Sequence, residues 1–248
     1  MKKCSRFEVT SFALHILAMG LMLCDHLWAT VIPGNGWLTC IGRLAFPLFA
    51  FLLVEGYFHT KNLKRYVLRL LVFAAISEIP FNLMTGSGLI NPVHQNVLWT
   101  FLIGIGLMHL TEWAKDAPRK IWRWLLLGVG VLSGCLIAML GMTDYMHFGV
   151  LTVLVFYLFR DRRWWCFAGQ AFLLWYINFE MAGGVVYPFE LFGRDCSFPQ
   201  QGFALLALIP IWLYRGKQGR YSKTLKYTYY TFYPVHLLIL YLLMLIIH

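Results

Sequence analysis

Ionisable side chains lie inside stretches of the sequence that are otherwise apolar. Asp25 and His26 are adjacent in the first stretch, Arg43 lies in the second, and Glu78 precedes Pro80 in the third. A charge inside a membrane span costs roughly 2.5–3.5 kcal/mol even on the lenient insertion scale, so each such residue needs a structural or functional reason. An acid beside a histidine can hold the ring in one tautomer and increase its basicity, which is how a general base is built.

Several of these polar residues fall at one depth when positions are counted along the apolar stretches. With a rise of about 1.5 Å per helical residue, similar positions in the outer half are predicted for Asp25, His26, Arg43, Glu78, Asn96 and Asp144. Polar groups from five segments at one level predict the wall of a shared cavity. Two structural interpretations stay open: Arg43 can form an ion pair with Asp25 or Glu78 that fixes helix register, and Asp144 can cap a helix.

A second polar level lies at the opposite ends of the apolar stretches. Its members are Glu55, His59, Lys61, Lys64, Arg65, Arg69, Lys217, Tyr233 and His236. Arg69 lies within a stretch, and residues 216–219 form a basic turn with glycine at each end. Such a turn can bind phosphates through backbone N–H groups and a cation. The alternative is that these basic residues only set membrane topology.

Two common kinds of site are missing from the sequence. Neither the Walker nor the Rossmann glycine pattern is present, so no nucleotide-binding fold is predicted. The six cysteines show no CxxC spacing and lie mostly inside apolar stretches, which favours buried residues over redox or zinc chemistry. We therefore expect no metal.

The elements that must position these residues are transmembrane helices. Hydrophobic residues make up 60% and charged residues 13% of the 248 residues, whereas soluble proteins are about a quarter charged. About 20 apolar residues cross the hydrocarbon core. The predicted spans are residues 9–32, 37–58, 66–84, 96–113, 121–142, 146–159, 163–180, 201–214 and 228–247, of which the sixth and eighth are short. The sequence predicts an all-α polytopic membrane protein with about nine transmembrane helices, in a single domain over residues 1–248.

Basic residues are confined to one set of connections between the predicted spans. Of the 21 Lys and Arg, 19 lie in residues 2–6, 61–69, 115–123, 160–163 and 215–226. With nine spans, these clusters all fall on one side, and the positive-inside rule makes that side cytoplasmic. The N-terminus is then cytoplasmic, and the C-terminus lies outside the cell membrane. The formal net charge of +10 therefore reflects topology, and we expect no binding of nucleic acid.

Several motifs resemble those of the TraX family of membrane acetyltransferases. They lie in residues 22–26, 42–60, 69–81, 95–97, 144–145, 213–217 and 232–237, in order along almost the whole chain. The motif in residues 42–60 is long enough to be specific. The family is named for an enzyme that N-acetylates conjugative pilin, and it is similar to larger membrane acyltransferases, including the lysosomal heparan-glucosamine acetyltransferase. In those enzymes, an acetyl group passes from cytoplasmic acetyl-CoA to an acceptor on the opposite side of the membrane, and the transfer uses a histidine embedded in the membrane.

The resemblance implies a role for each polar level. Acetyl-CoA would bind from the cytoplasm with its phosphates against the basic cluster, above all Arg69 and Lys217. The same donor site would include Lys61, Lys64, Arg65, His59, Glu55, Tyr233 and His236. The acceptor, an exported peptide, a glycan or a lipid head group, would arrive from outside.

In the outer level, the resemblance implies direct transfer to the acceptor amine or hydroxyl. His26 would take the proton from the acceptor, and Asp25 would orient His26. Arg43 or Asn96 would stabilise the oxyanion. Glu78 is the next candidate for the base.

Two other classes of membrane protein remain open. Intramembrane Asp, His, Glu and Arg also form the proton relays of proton-coupled transporters. Such transporters often consist of two similar halves, a symmetry that this sequence does not show. A scaffold, in which ion pairs only hold helices together, would not need polar residues at two separate levels.

Overall fold

The computed structural model describes residues 9–191 and 193–247, which are mostly helical. The helices are α1 (Ser11–Thr30), α2 (Trp37–Gly42), α3 (Ala45–His59), α4 (Leu63–Met84), α5 (Val97–Ala114), α6 (Lys120–Leu140), α7 (Met146–Leu158), α8 (Trp164–Tyr176), α9 (Leu208–Leu213) and α10 (Lys223–Ile247). A π-helical turn, Ile177–Met181, continues α8, and a 3₁₀ helix, Gln200–Ala207, leads into α9.

Polar residues fix the starts of three helices. Thr10, Asn62 and Asn96 precede α1, α4 and α5, and the side-chain oxygen of each accepts a hydrogen bond from a backbone N–H group of the first turn, at 3.2, 2.9 and 3.1 Å. Such caps satisfy N–H groups that have no partner within the helix. Asn96, which was predicted to line a catalytic cavity, therefore caps α5.

Six helical segments are long and apolar enough to cross a membrane: α1, Trp37–His59, α4, α5, α6 and α10. Met146–Leu158 and Gln200–Leu213 are shorter apolar helices. Large apolar side chains are exposed along α6 and α10, as expected of helices that face lipid, whereas α3 is mostly buried among its neighbours. The helices fit a multi-pass membrane protein, and the count of nine spans stays a prediction.

The shorter helix α7 connects the same two ends of the bundle as the long helices. Before α7, Thr143 pairs through its backbone with Gln95, which lies just before α5. After α7, the Nε of Arg160 lies 2.7 Å from Oε1 of Glu55, near the end of α3. The basic connection that follows α7 therefore lies at the end of the bundle where α3 ends and α4 begins.

The starts of α1, α4 and α10 lie at this same basic end. Arg69 and Phe73, early in α4, contact the ring of Tyr230, early in α10. Val9, before α1, pairs with Tyr214, which follows α9. These contacts make α4 and α10 parallel and bring the predicted cytoplasmic connections together.

The predicted span 37–58 is interrupted at Arg43 and Leu44, which separate α2 from α3. Pro47 has no N–H group to donate to the carbonyl of Arg43, so the regular ladder of helical hydrogen bonds cannot continue through this point. The break lets α2 lie against α1 so closely that a Cβ atom on Gly42 would be 2.5 Å from the Cβ of Asp25.

The predicted outer loop after residue 180 contains a β-hairpin, so the all-α expectation is wrong for this segment. β1 (Val186–Leu191) pairs antiparallel with β2 (Arg194–Pro199). Val186, Tyr187 and Phe189 of β1 are residue types that favour strands, whereas β2 contains only Phe198 of this kind. The hydroxyl of Tyr187 accepts a hydrogen bond from Nε2 of Gln200 at 2.9 Å and lies 3.4 Å from Sγ of Cys40, which holds the hairpin over α2.

Candidate active site

A cavity of about 450 Å³ lies at the end of the bundle opposite the basic connections. We call it the outer cavity. Its polar lining residues are Asp25, His26, Arg43, Asp144, Tyr145, Gln200, Gln201 and Tyr233. Residues 182–185, which lead into β1, form part of its wall. Four of the six residues predicted to lie at one depth therefore do share a cavity.

Asp25 is held in a polar network with Thr39 and Arg43. Nη2 of Arg43 donates to Oδ1 of Asp25, and so does Oγ1 of Thr39 at 2.7 Å. Nη2 of Arg43 also lies 3.0 Å from Oγ1 of Thr39. The predicted ion pair between Arg43 and an intramembrane acid is confirmed, with Asp25 as the acid. This network ties α1 to α2 and neutralises both charges at the cavity wall.

His26 has a partner that the sequence did not indicate. Its Nδ1 lies 2.7 Å from Nε2 of His236 in α10, and the two rings are nearly parallel, with centroids 5.0 Å apart. The expectation that Asp25 orients His26 is therefore wrong, because Asp25 is bonded to Arg43 and Thr39 instead. Successive helical residues point about 100° apart, so the two side chains of α1 face different neighbours.

Asp144 and His94 lie together at the rim of the outer cavity. Nε2 of His94 lies 3.9 Å from Oδ1 of Asp144, and the ring of His94 contacts Phe81 edge-on. The carboxylate of Asp144 raises the pKa of His94 above its usual 6.5, against the opposing effect of partial burial. The Oδ1 of Asp144 also accepts the N–H of Tyr145, but Tyr145 is itself the N-cap residue of α7 and no side chain caps this helix. The capping interpretation of Asp144 is therefore wrong, and its place in the cavity wall holds.

Glu78 and Asn96 lie outside the lining of the outer cavity. Oε1 of Glu78 accepts hydrogen bonds from the backbone N–H and the side-chain amide of Asn96 and from Nε1 of Trp99. The amide of Asn96, which is fully buried, also donates to the carbonyl of Ala74 at 2.9 Å. The structure thus uses both residues to fasten the start of α5 to α4, and the expectation that they share the cavity is wrong.

A second cavity, of about 560 Å³, lies at the basic end of the bundle. We call it the inner cavity. Its charged, histidine and tyrosine lining residues are His15, Glu55, His59, Tyr66, Arg69, Tyr214, Arg220, Tyr221, Lys226, Tyr229, Tyr230 and Tyr233. Leu52, Leu53 and Leu98 form an apolar part of the wall. The cavity therefore combines cations and aromatic rings at its basic end with an apolar interior.

Arg69 lies in the wall of the inner cavity between two tyrosines. Its guanidinium carbon is 5.9 Å from the ring centroid of Tyr66 and 5.9 Å from that of Tyr230. Its buried Nε has no hydrogen-bond partner among the described residues. Buried polar groups are nearly always bonded in folded proteins, so a donor without a partner in a cavity wall indicates a position for an anionic or carbonyl ligand.

The outer and inner cavities share part of their walls. The residues that line both are Met22, Phe49, Val97, Phe101 and Tyr233. These side chains, which we call the septum, separate a polar chamber at one end of the bundle from a basic chamber at the other. A group that passed the septum from the inner cavity would enter the chamber that contains His26.

A family description, "TraX protein", matches residues 11–244 of the chain, which is nearly all of it. The chain belongs to the TraX family. The "Probable fimbrial assembly protein FimC, serogroup H1" of Dichelobacter nodosus is a relative that is 29% identical over 125 residues. The match covers 46% of this chain and 51% of that protein, so the chain spans about half the length of that relative. No solved structure matches.

The predicted donor residues of this TraX-family chain fall into two groups. Arg69, Glu55, His59 and Tyr233 line the inner cavity, with Tyr233 in the septum. The others, Lys61, Lys64, Arg65, Lys217 and His236, are not part of its lining. The first three are exposed near the start of α4, so the expectation that they line the cavity is wrong, and a part for them in donor binding or in topology stays a prediction.

The glycine-flanked turn of the TraX-family chain supports α1 through its carbonyl groups. The carbonyls of Lys217 and Gln218 accept hydrogen bonds from the N–H groups of Ser11 and Phe12 at 2.9 and 3.1 Å. Gly219 has a φ of 75°, which a residue with a side chain rarely adopts. The turn therefore satisfies the first N–H groups of α1, while Gly216, Gln218 and Arg220 line the inner cavity.

Several residues that contact the charged groups of the two cavities could not be recognised from the sequence. Thr39, Tyr66 and Tyr230 are ordinary helical residues by type, and only the packing of α1 on α2 and of α4 on α10 makes them partners of charged groups. Tyr145 is different, since its position next to Asp144 was visible. It adopts a left-handed backbone conformation, with a φ of 61°, and stacks on Phe46 with centroids 3.9 Å apart.

Proposed function

We propose that this protein is an integral-membrane acyltransferase that moves an acetyl group from acetyl-CoA to an amine or hydroxyl acceptor. The donor enters the inner cavity from the cytoplasm, and the acceptor enters the outer cavity. The observation that carries this proposal is the pair of cavities at opposite ends of the bundle, which meet at a common septum beside His26. A transferase whose two substrates come from opposite sides of a membrane needs this arrangement.

The inner cavity suits the chemistry of coenzyme A. Arg69, Arg220 and Lys226 supply positive charge for phosphate groups, and charge-assisted bonds from arginine to phosphate are among the strong ones. The apolar wall formed by Leu52, Leu53 and other side chains suits the pantetheine arm. Tyrosines near Arg69 offer flat surfaces for a purine ring.

His26 is the proposed general base. It removes the proton from the acceptor nitrogen or oxygen as that atom attacks the thioester carbonyl. The carbon–sulfur bond then breaks, the acetyl group stays on the acceptor, and the proton passes from His26 to the leaving thiolate. Arg43, on the cavity wall, supports the negative charge on the carbonyl oxygen.

The family and the relative indicate the class of acceptor. The resemblance to the TraX family implies acetylation of pilin, and the similar protein of Dichelobacter nodosus is described as a probable fimbrial assembly protein. Both favour an exported protein subunit over a glycan or a lipid head group. The outer cavity, bordered by the hairpin and residues 182–185, is where its reactive group is proposed to enter.

Acetyl transfer is tested with inside-out membrane vesicles that contain the protein and are supplied with acetyl-labelled acetyl-CoA. We expect label in the membrane fraction with the wild type and a loss of about 10²–10⁴-fold in His26→Ala. His109→Ala is the matched control, because His109 is exposed on α5 and lines neither cavity. A transporter would leave the label on acetyl-CoA, and equal labelling by wild type and His26→Ala would refute the assignment of the base.

Donor binding is tested by titrating coenzyme A into the purified protein by calorimetry. Arg69→Ala should weaken binding by about tenfold or more, since an arginine–phosphate pair contributes on the order of 1.5–3 kcal/mol. Lys64→Ala is the matched control, because Lys64 is on the same helix but outside the cavity. If coenzyme A bound to Arg69→Ala as tightly as to the wild type, the proposed donor site would be contradicted.

A further inference from the structure

The contact between His26 and His236 joins residues that are 210 positions apart in the chain. His236 is buried, with an exposed fraction of 5%, and lines neither cavity. It therefore cannot touch a donor held in the inner cavity, and the prediction that it binds the donor does not explain its position. Among the described residues, His236 forms hydrogen bonds with the ring of His26 and the carbonyl of Phe232. Of these two, only His26 lines the outer cavity.

The hydrogen bonds of His236 determine which of its nitrogens carries a proton. Nδ1 of His236 lies 2.7 Å from the carbonyl oxygen of Phe232. A carbonyl oxygen can only accept a hydrogen bond, so Nδ1 must donate. A neutral imidazole has one donor and one acceptor nitrogen, and therefore Nε2 of His236 is an acceptor.

The same reasoning then determines the tautomer of His26. Its Nδ1 faces the acceptor Nε2 of His236 at 2.7 Å, so Nδ1 of His26 must carry the proton. In the neutral ring, Nε2 of His26 is left with a free lone pair. That nitrogen forms no hydrogen bond with the described residues, and His26 lines the outer cavity. The chain of bonds from Phe232 through His236 thus presents a proton acceptor to the outer cavity.

We propose that His236 is a positioning residue that holds His26 in the tautomer with Nδ1 protonated, so that Nε2 is the proton-accepting atom of the transferase. This inference rests on the proposed function. It assigns to His236 the part that an acid commonly plays beside a catalytic histidine. Asp25 cannot play it here, because its carboxylate is bonded to Arg43 and Thr39.

The arrangement also accounts for the proton during transfer. When Nε2 of His26 takes the proton of the acceptor, the ring becomes a cation, and both of its nitrogens are donors. Nδ1 then remains bonded to Nε2 of His236, which shares the positive charge through this hydrogen bond. When Nε2 returns the proton to the leaving thiolate, the original tautomer is restored.

The packing around His236 fixes its ring in place. Phe232 stacks on it at 4.6 Å between centroids, and Tyr233 lies 5.8 Å away in a tilted contact. Pro234 lies within α10 between these residues and His236. Because the ring is held by its neighbours and by the carbonyl of Phe232, His26 is the side chain that must adapt to it.

The test compares His236→Phe with His236→Gln. Phenylalanine keeps a ring in the packed space but cannot accept the Nδ1 proton of His26, whereas the glutamine carbonyl can. We expect His236→Phe to lower kcat for acetyl transfer by about 10²-fold with little change in the KM for acetyl-CoA. His236→Gln should recover a large part of kcat. Equal activity of the two variants would overturn the proposal, because a residue that only fills space would favour phenylalanine.

A second measurement does not depend on activity. ¹⁵N NMR of histidine-labelled protein, with the His26 signals assigned by comparison with His26→Gln, reports which nitrogen is protonated. We expect protonation at Nδ1 in the wild type and in His236→Gln, and a shift toward Nε2 in His236→Phe. A wild-type His26 protonated at Nε2 would refute this inference even with acetyl transfer intact. Absence of acetyl transfer in the wild type, with Nδ1 protonated, would refute the proposed function and with it the catalytic role of the tautomer.

Discussion

At the scale of single residues, the network of Asp25, Thr39 and Arg43 shows how charges are tolerated in an apolar bundle. Oδ1 of Asp25 accepts from both other side chains, and Nε of Arg43 lies 3.4 Å from the carbonyl of Thr39. Each charge is therefore compensated. Removing one partner of such a pair leaves the other unpaired in a medium that solvates it poorly, which costs more than removing both.

We predict that Arg43→Gln lowers the stability of the protein by about 3–5 kcal/mol, the usual cost of breaking a buried pair. The double variant Asp25→Asn with Arg43→Gln contains no charge at this position and should recover much of the loss. Thermal unfolding of the detergent-purified proteins measures both. A double variant less stable than Arg43→Gln alone would show that the unpaired carboxylate is not the cause.

The sequence predicted an acidic partner for Arg43, either Asp25 or Glu78, and missed the partner of His26 for a physical reason. Arg43 and Asp25 carry opposite charges at one depth, so their attraction could be predicted without knowing the packing. His26 and His236 are both neutral hydrogen-bonding rings, and nothing in residue type favours one histidine partner over another. Their pairing depends on how α10 lies against α1, which the spacing of apolar residues does not specify.

At the scale of elements, the close approach of α2 to α1 depends on a single glycine. A Cβ atom on Gly42 would lie 2.5 Å from Cβ and 2.9 Å from Cα of Asp25, distances that real structures do not show. Since the atoms it would meet include backbone, the two helices would have to separate. The ion pair that joins them would then lengthen.

We predict that Gly42→Ala destabilises the protein and lowers acetyl transfer, because it moves α2 and Arg43 away from Asp25. Gly20→Ala is the matched control on α1, since a Cβ at Gly20 meets no atom within 4 Å. Alanine favours helix over glycine by about 1 kcal/mol, so the control should be neutral or slightly stabilising. Melting temperatures of the two variants decide the matter, and similar values would show that the contact is dispensable.

Helices could be predicted where the run of apolar residues was long enough to span a membrane. The apolar runs of α1, α4, α5 and α6 indicated helices directly. The break at Arg43 was hidden within an apolar run, although Pro47 carried the signal for it. The hairpin of β1 and β2 was missed because only β1 contains several residues that favour strands, whereas Asp195, Ser197 and Pro199 in β2 are more typical of a loop.

At the scale of the whole molecule, the order of helices constrains how often the chain crosses the bundle. α4 and α10 are parallel, because both begin beside the inner cavity, at Arg69 and Lys226, and continue toward the outer cavity. Phe81 of α4 lines the outer cavity, and His236 of α10 contacts its lining residue His26. An odd number of crossings must therefore lie between them. The helices α5, α6, α7 and α8, with Gln200–Leu213, supply five, provided that the short elements also cross.

We predict a cytoplasmic location for a reporter inserted after Ala117 and an outer location for one fused to the C-terminus. The basic connections collect at one end of the bundle, which the positive-inside rule assigns to the cytoplasm. Activity of enzyme reporters that work on only one side of the membrane measures each location. Cytoplasmic activity of the C-terminal fusion would refute the count of nine spans.

The septum between the two cavities also has an electrical consequence. In the predicted topology the two chambers open to opposite sides of the membrane. The layer formed by Met22, Phe49, Val97, Phe101 and Tyr233 would then bear most of the transmembrane voltage. A charge that crosses 100 mV changes its energy by about 2.3 kcal/mol, so a gap in this layer would conduct protons and dissipate the gradient that the cell maintains. The bulky and mostly apolar composition of the septum is thus also insulation, which the proposed transfer would have to preserve while an acetyl group passes.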